Sequence, residues 1–72
     1  MKYTVIYEHG PTSWGAYVPD LPGVISVGDS REEIEVLIRE AIAFTWKECA
    51  RRGLPIPLPS SFAGEVEVNS AA

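Results

Sequence analysis

The chain is short of the residues that usually reinforce or equip a small protein: its 72 residues include one cysteine, one histidine and one methionine. Cys49 has no second cysteine with which to form an intrachain disulfide, and no neighbouring histidine or CxxC motif with which to bind zinc. No apolar run approaches the roughly 20 residues of a membrane span. Met1-Lys2-Tyr3 leads into a strand pattern rather than a secretory signal, so we expect a cytoplasmic protein.

The chain is also short of positive charge. Six Lys and Arg residues stand against ten Asp and Glu residues, a net charge of −4. Direct DNA or RNA binding is not expected, because neutralising phosphates supplies most of that affinity. A single domain over residues 1–72 has a thin core, so we expect a homo-oligomer and a basic protein partner.

Neither of the two reactive side chains has a partner that would support catalysis. His9 lies in a turn cluster without a serine, cysteine or carboxylate placed beside it, and Cys49 falls on the apolar stripe of a helix. We therefore expect His9 to be an exposed loop histidine and Cys49 to be a small buried hydrophobe. We predict no enzyme activity, no metal and no cofactor.

Period-two alternation predicts four strands. Residues 2–8, 14–18 and 24–27 form an antiparallel meander, with a five-residue loop between the first two strands. Residues 64–69 alternate strictly, so Val66 and Val68 are expected to face a core. Ser70, Ala71 and Ala72 are expected to be frayed. The predicted class is α+β with the order β-β-β-α-β.

One long helix is predicted between the third and fourth strands. Ser30 precedes Glu33 by three residues, which is the capping-box spacing, so the helix begins at Arg31. It ends after Arg52, where Gly53 supplies a left-handed residue and Pro55 blocks continuation. Its predicted sheet-facing stripe comprises Ile34, Leu37, Ile38, Ala41, Thr45 and Cys49.

The middle of this helix is apolar nearly all round. Trp46 projects about 100° away from the stripe, and Ile42 and Phe44 are the other large apolar side chains in this part of the helix. Two accounts stay open at about even weight: the proline-rich tail folds back over Trp46, or a second subunit covers it. We take these three residues as the candidate oligomer interface, and predict that Trp46→Ala shifts the protein toward monomer in sedimentation.

A turn motif is the most specific feature of the chain. Prolines pre-set φ, a glycine supplies positive φ and Asp20 is expected to bond backbone two residues on. The motif and the residues that frame the helix are Pro19, Asp20, Leu21, Pro22, Gly23, Gly28, Ser30, Glu33 and Gly53. This combination resembles the HicB-like antitoxin family. The resemblance implies a partial ribonuclease-H-like fold with sheet order 3-2-1-4 and a right-handed crossover into a parallel fourth strand.

The resemblance also implies a function. HicB-like proteins bind and occlude a small basic messenger-RNA-cleaving toxin, HicA, without chemistry of their own. The candidate partner-binding residues are Asp20, Asp29, Glu32, Glu33 and Glu35. Nothing after residue 69 forms the DNA-binding tail of many such antitoxins, so operator binding is not expected. The alternative is an orphan ligand- or peptide-binding scaffold module of the same fold, with a cleft near Trp14, Tyr17 and Trp46.

A ribonuclease-H-like outline would also allow a metal-dependent nuclease. That chemistry needs several carboxylates around metal ions, one of them in the middle of the first strand. The middle of that strand offers Val5 and Ile6, while Glu8 stands at its end. We therefore reject a nuclease.

Overall fold

The computed structural model describes residues 1–70, which form an antiparallel sheet followed by one helix. The sheet order is β1-β2-β3, so β1 and β3 are its edges. The elements are β1 Ile6–His9, β2 Trp14–Tyr17, β3 Ile25–Gly28 and α1 Arg31–Arg52. The predicted α+β class and the three-stranded meander are confirmed. The prediction for Ala71 and Ala72 lies outside the described residues.

The first two strands are shorter than predicted, and the third has the predicted length but begins one residue later, at Ile25. β1 begins at Ile6, opposite Tyr17, because the backbone beyond Tyr17 turns away from β1: the amide of Val18 donates to the carbonyl of Val24 at 3.1 Å. Pro19 then has no amide with which to extend the ladder. At the other end of the hairpin His9 pairs with Trp14, so the loop has four residues rather than five.

The turn motif forms two successive β-turns. Leu21 donates to the carbonyl of Val18 and Val24 donates to that of Leu21, both at 3.1 Å. Gly23 has φ 87°, as the second turn requires of the residue after Pro22. Leu21, only 1% exposed, is thereby inserted into the core. The family-like motif is therefore a core anchor as well as a chain reversal.

The helix has the predicted limits. The amide of Glu33 donates to Ser30 Oγ at 3.1 Å, and Glu33 Oε2 accepts from the amide of Asp29 at 3.0 Å. The glutamate thus reaches one residue beyond the cap position expected for a capping box. Gly53 closes the helix with φ 66°, and its amide bonds the last turn. Arg51 stands in that last turn, where its charge complements the helix dipole.

The core lies between the helix and one face of the sheet. α1 packs against β2 and β3, and it buries Ile34 and Ile38 from the predicted stripe. The buried core residues are Ala16, Val18, Leu21, Val24, Ile34 and Ile38. Partly buried side chains surround them: Tyr3, Val5, Tyr7, Trp14, Ala41 and Ile42. The helix covers one face of the sheet, so the opposite face is open to a partner.

The predicted fourth strand is wrong for the part of the chain that the structure describes. Residues 53–70 contain no strand after the helix, and no parallel crossover is completed. Val66 and Val68, expected in a core, are 88% and 82% exposed. Alternation gives a segment two distinct faces, but a strand also needs an edge to pair with, and within one chain this segment does not reach one.

Candidate protein-binding surfaces

Asp20 holds the proline-rich tail against the body of the protein. Its carboxylate accepts from the amides of Ser60 and Ser61, each at 3.0 Å. It also accepts from the two hydroxyls, at 3.0 Å from Ser60 and 2.8 Å from Ser61. We call these three residues the clamp. The local backbone bond expected of Asp20 is replaced by contacts 40 residues away.

The clamp depends on the charge of Asp20. The amide of Ser61 and then the amide of Ser60 contribute most to lowering the pKa of Asp20, with the Ser61 hydroxyl next. Together they bring that pKa from 3.8 to about 2. Hydrogen bonds from donors stabilise the ionised carboxylate, which is why the pKa falls. The clamp is therefore formed at neutral pH.

Trp46 contacts a side chain of its own chain, that of Tyr3. Its Nε1–H donates to the Tyr3 hydroxyl at 3.2 Å, and the two rings make an edge-to-face contact with centroids 6.1 Å apart. The same hydroxyl donates to the carbonyl of Pro57 at 2.6 Å. Tyr3 therefore links the helix to the proline-rich tail. Ile42 packs beside the core, whereas Phe44 is 66% exposed on the helix.

An apolar groove of about 320 Å³ runs along the free edge of β1, between the sheet and the helix. We call it the edge groove. The chain before β1 and the helix supply its apolar walls, and Glu35 and Arg39 stand at its rim. The lining residues are Met1, Tyr3, Val5, Tyr7, Glu35, Ile38, Arg39, Ile42 and Trp46.

The second surface is the outer face of the sheet, opposite the helix. The register aligns Ile6, Tyr17 and Ile25 in one row across three strands. The next row is Glu8, Gly15 and Val27, and the glycine leaves a shallow hollow of about 220 Å³. Ile25 and Val27 are 67% and 66% exposed. Apolar side chains clustered in this way are typical of a docking surface.

The predicted acidic residues do not form one cluster. Asp20 is engaged in the clamp, Glu33 caps the helix, and Glu35 lies 3.8 Å from Arg39 in an exposed ion pair. Asp29 follows β3 directly and Glu32 lies in the first helical turn, both exposed. Asp29 therefore stands two residues after Val27 in the chain, and Glu32 follows in the first turn of the helix.

The aromatic residues of the alternative cleft do not meet within the chain. Tyr17 belongs to the outer face, whereas Trp46 lies on the helix side of the sheet. Trp14 stacks on His9, with ring centroids 4.0 Å apart and planes 7° apart. That stack closes the end of the first hairpin and leaves His9 without a catalytic neighbour among the contacts described here.

The described residues hold neither a metal-binding cluster nor a membrane-spanning helix. Within residues 1–70, no group of three or more His, Cys, Asp or Glu side chains could hold a metal ion. No helix in the same range is long and apolar enough to cross a membrane. The arrangement is a small α+β domain with one sheet face that the helix leaves open.

Comparison with known proteins places this domain in a family. Residues 3–70 match the family model described as a HicB-like antitoxin of bacterial toxin-antitoxin systems. The chain is 34% identical over 77 aligned positions to Antitoxin HicB 2 of Photorhabdus laumondii subsp. laumondii, an alignment that covers 92% of this chain and 55% of that protein. The chain thus spans about half the length of the curated relative it matches. No solved structure gives a significant match. The chain belongs to the HicB-like antitoxin family, as the turn motif predicted.

Sequence reasoning missed the clamp and the outer face. The clamp joins residues 40 positions apart, and only the unusual pair Ser60-Ser61 after a proline run hinted at it. The outer face had a clearer indication. Ile6 shares the otherwise polar face of β1, and Ile25 and Val27 take the face of β3 opposite the buried Val24.

Proposed function

We propose that this protein binds and neutralises a small basic, messenger-RNA-cleaving toxin of the HicA type by occlusion, without chemistry of its own. Membership of an antitoxin family supports the toxin-neutralising role. The observation that carries the proposal is the open outer face of the sheet, where Ile25 and Val27 project into solvent beside exposed carboxylates. The cytoplasm, where messenger RNA is translated, is the compartment that this role requires.

The outer face has the composition of a protein-binding surface. Ile6, Tyr17, Ile25 and Val27 offer apolar area that a partner would remove from water, and such central apolar side chains supply most of the affinity of an interface. Gly15 leaves a hollow between them that accepts a projecting side chain. The helix packs on the opposite face, so a toxin can dock here without disturbing the core.

Carboxylates at the margin of this face suit a basic partner. Glu8 lies in the same cross-strand row as Val27, and Asp29 and Glu32 follow at the β3 end. Charges at the rim of an interface mainly raise the association rate and select the partner by sign. The net charge of −4 acts in the same direction. Apolar contacts thus supply affinity, and the acidic margin supplies selection.

Co-expression with a HicA-type toxin tests the proposal. The wild-type chain is expected to restore growth and to co-purify with the toxin at low salt. Ile25→Lys places a cation in the apolar row formed by Ile6, Tyr17 and Ile25 and is expected to abolish both. Val36→Lys is the matched control, because Val36 is 54% exposed but lies on the helix; it is expected to behave as wild type.

Charge variants separate the two parts of the surface. Asp29→Lys with Glu32→Lys is expected to slow association and to weaken its salt dependence, while Glu65→Lys with Glu67→Lys carries the same charge change away from the face and has the smaller effect. The proposal would be contradicted if Val36→Lys lost toxin binding while Ile25→Lys kept it, or if the wild-type chain bound no HicA-type toxin. The second result would favour the orphan binding module.

A further inference from the structure

We infer that two copies of this chain exchange their C-terminal segments. In this arrangement residues 62–69, which we call the arm, add as a strand to the free edge of β1 in a second copy. Val66 and Val68 then enter that copy's edge groove. The exchange is reciprocal and gives a two-fold symmetric dimer.

The arm has a strand's pattern but lacks a sheet within its own chain. Its apolar side chains are almost fully exposed: Phe62 89%, Val66 88% and Val68 82%. The radius of gyration is 15.1 Å, against about 11 Å for a compact domain of this length, and the longest dimension is 54 Å. An arm of this length, extended, spans about 26 Å, which is enough to cross a neighbouring sheet edge.

The edge groove is the matching receptor. β1 is an edge strand, so one side of its backbone has no partner strand in the described chain. Tyr3, Val5 and Tyr7 line the groove on the sheet side, and Ile38 and Ile42 line it on the helix side. A strand added at this edge gains backbone hydrogen bonds, and alternate side chains point under the helix. The valines of the arm have the spacing for that position.

The clamp anchors the two residues that precede the arm. Both amides and both hydroxyls of Ser60 and Ser61 bond Asp20, so the chain leaves the body in a fixed direction. Thr4 Oγ1 adds a bond to the carbonyl of Ser61 at 2.6 Å. From this anchor the arm projects into solvent, where a second copy can receive it. The core has six buried residues within residues 1–70, and a core this small is stabilised by burying further apolar surface against a second copy.

The acidic residues of the arm select its partner. Glu65 and Glu67 lie on the face opposite Val66 and Val68, so they stay in water when the valines enter a groove. Two arms placed side by side would align their glutamates and repel each other. Pairing of an arm with β1 is therefore favoured over pairing of an arm with an arm.

Sedimentation of the full chain tests the exchange. The wild type is expected to sediment as a dimer, and Val66→Asp with Val68→Asp is expected to weaken dimerisation by roughly tenfold or more, because two buried valines become charged. No residue of the arm belongs to the core cluster. The aspartate variant is therefore expected to keep a cooperative thermal unfolding transition. Glu65→Gln with Glu67→Gln is the matched control and is expected to remain dimeric.

Cross-linking identifies whose groove is filled. In a Cys49→Ala background, one chain carries Val66→Cys and another Ile42→Cys, and a short bismaleimide is added to the mixture. We expect a cross-linked heterodimer, and none when Val36→Cys replaces Ile42→Cys. A chain that carries both Val66→Cys and Ile42→Cys distinguishes the alternatives further. Cross-linking of that chain at monomer mass would show that the arm enters its own groove.

Three results would overturn the inference: a monomeric wild type, a dimer dissociation constant that is unchanged in the aspartate variant, or a cross-link confined to one chain. Toxin binding is assigned to the outer face, not the edge groove. The aspartate variant is therefore expected to retain toxin binding as a monomer, so failure of the exchange and failure of the proposed function give different results.

Discussion

Two segments of this chain carry nearly the same alternating pattern and have opposite fates. In the first, Tyr3, Val5 and Tyr7 fall on one face, opposite Thr4 and Ile6, and pack against the core. In the second, Val66 and Val68 alternate with glutamates and remain exposed. The first segment continues into a strand with a neighbour in the sheet, while the second follows the clamp and forms no strand in the part of the chain that the structure describes.

The comparison teaches that alternation defines the faces of a strand but not its partner. β1 finds β2 across a four-residue loop, where chain connectivity makes pairing nearly automatic. The arm is separated from β1 by the whole helix and a proline-rich segment, so its pairing depends on long-range geometry. In the proposed exchange, the free edge of β1 in a second copy gives the arm the partner strand that it lacks in its own chain.

The largest contrast is expected between a core side chain and an arm side chain. Ile34→Ala removes a side chain with 0% exposure and is expected to lower the free energy of unfolding by about 2–5 kcal/mol. Val66→Ala is expected to change it by less than about 0.5 kcal/mol when the protein is diluted to monomer. Urea unfolding at low protein concentration measures both. Equal costs would mean that the arm is part of the monomer's core.

The next contrast concerns the clamp. Asp20→Ala removes all four bonds to Ser60 and Ser61, so amide hydrogen exchange at these two positions is expected to become fast. Asp29→Ala is the control, because it changes another exposed aspartate that follows β3. Unchanged protection of Ser60 and Ser61 in the Asp20 variant would show that the tail is held by other contacts.

A smaller effect is expected at the junction between helix and tail. Tyr3→Phe keeps the ring against Trp46 but removes the hydroxyl that bonds both Trp46 and Pro57. The expected loss is about 0.5–1.5 kcal/mol per bond, with a change in tryptophan emission because the indole N–H loses its acceptor. An emission spectrum and a stability identical to those of the wild type would show that the two hydrogen bonds of the Tyr3 hydroxyl do not stabilise the protein.

The smallest effect is expected from acid. The pKa of Asp20 is lowered to about 2, so the clamp's contribution is complete above the ordinary carboxyl value of 3.8 and disappears as pH falls through about 2. NMR titration of the Asp20 carboxyl measures this directly. Ser61→Ala is expected to raise the pKa only part of the way, because the backbone amides remain. Titration of the wild type near 3.8 would contradict the clamp.

The parts of the fold that were predicted correctly are encoded locally. Ser30, Glu33 and Gly53 lie within a few residues of the helix ends they define, and Gly23 determines its own turn. The parts that were missed depend on distant partners. Neither the bonds from Asp20 to Ser61 nor the absence of a sheet beside Val66 follows from any short stretch of sequence.

The candidate site divides in the same way. The acidic composition predicted a basic partner, but it did not reveal that Asp20 and Glu33 are engaged within the chain. The outer face could have been predicted by assigning Ile6, Ile25 and Val27 to one side of the meander. The register of three strands is needed to place them together, and the turns alone do not define that register.

Hydrogen exchange of the chain with and without a purified HicA-type toxin is the most direct test of the central claim, which is that the open face of the sheet is the toxin-binding surface. Exchange is expected to slow across β2, β3 and the residues around Asp29. Residues 62–69 are expected to be unaffected by the toxin. Protection confined to those residues or to the edge groove, with β2 and β3 unchanged, would contradict the account.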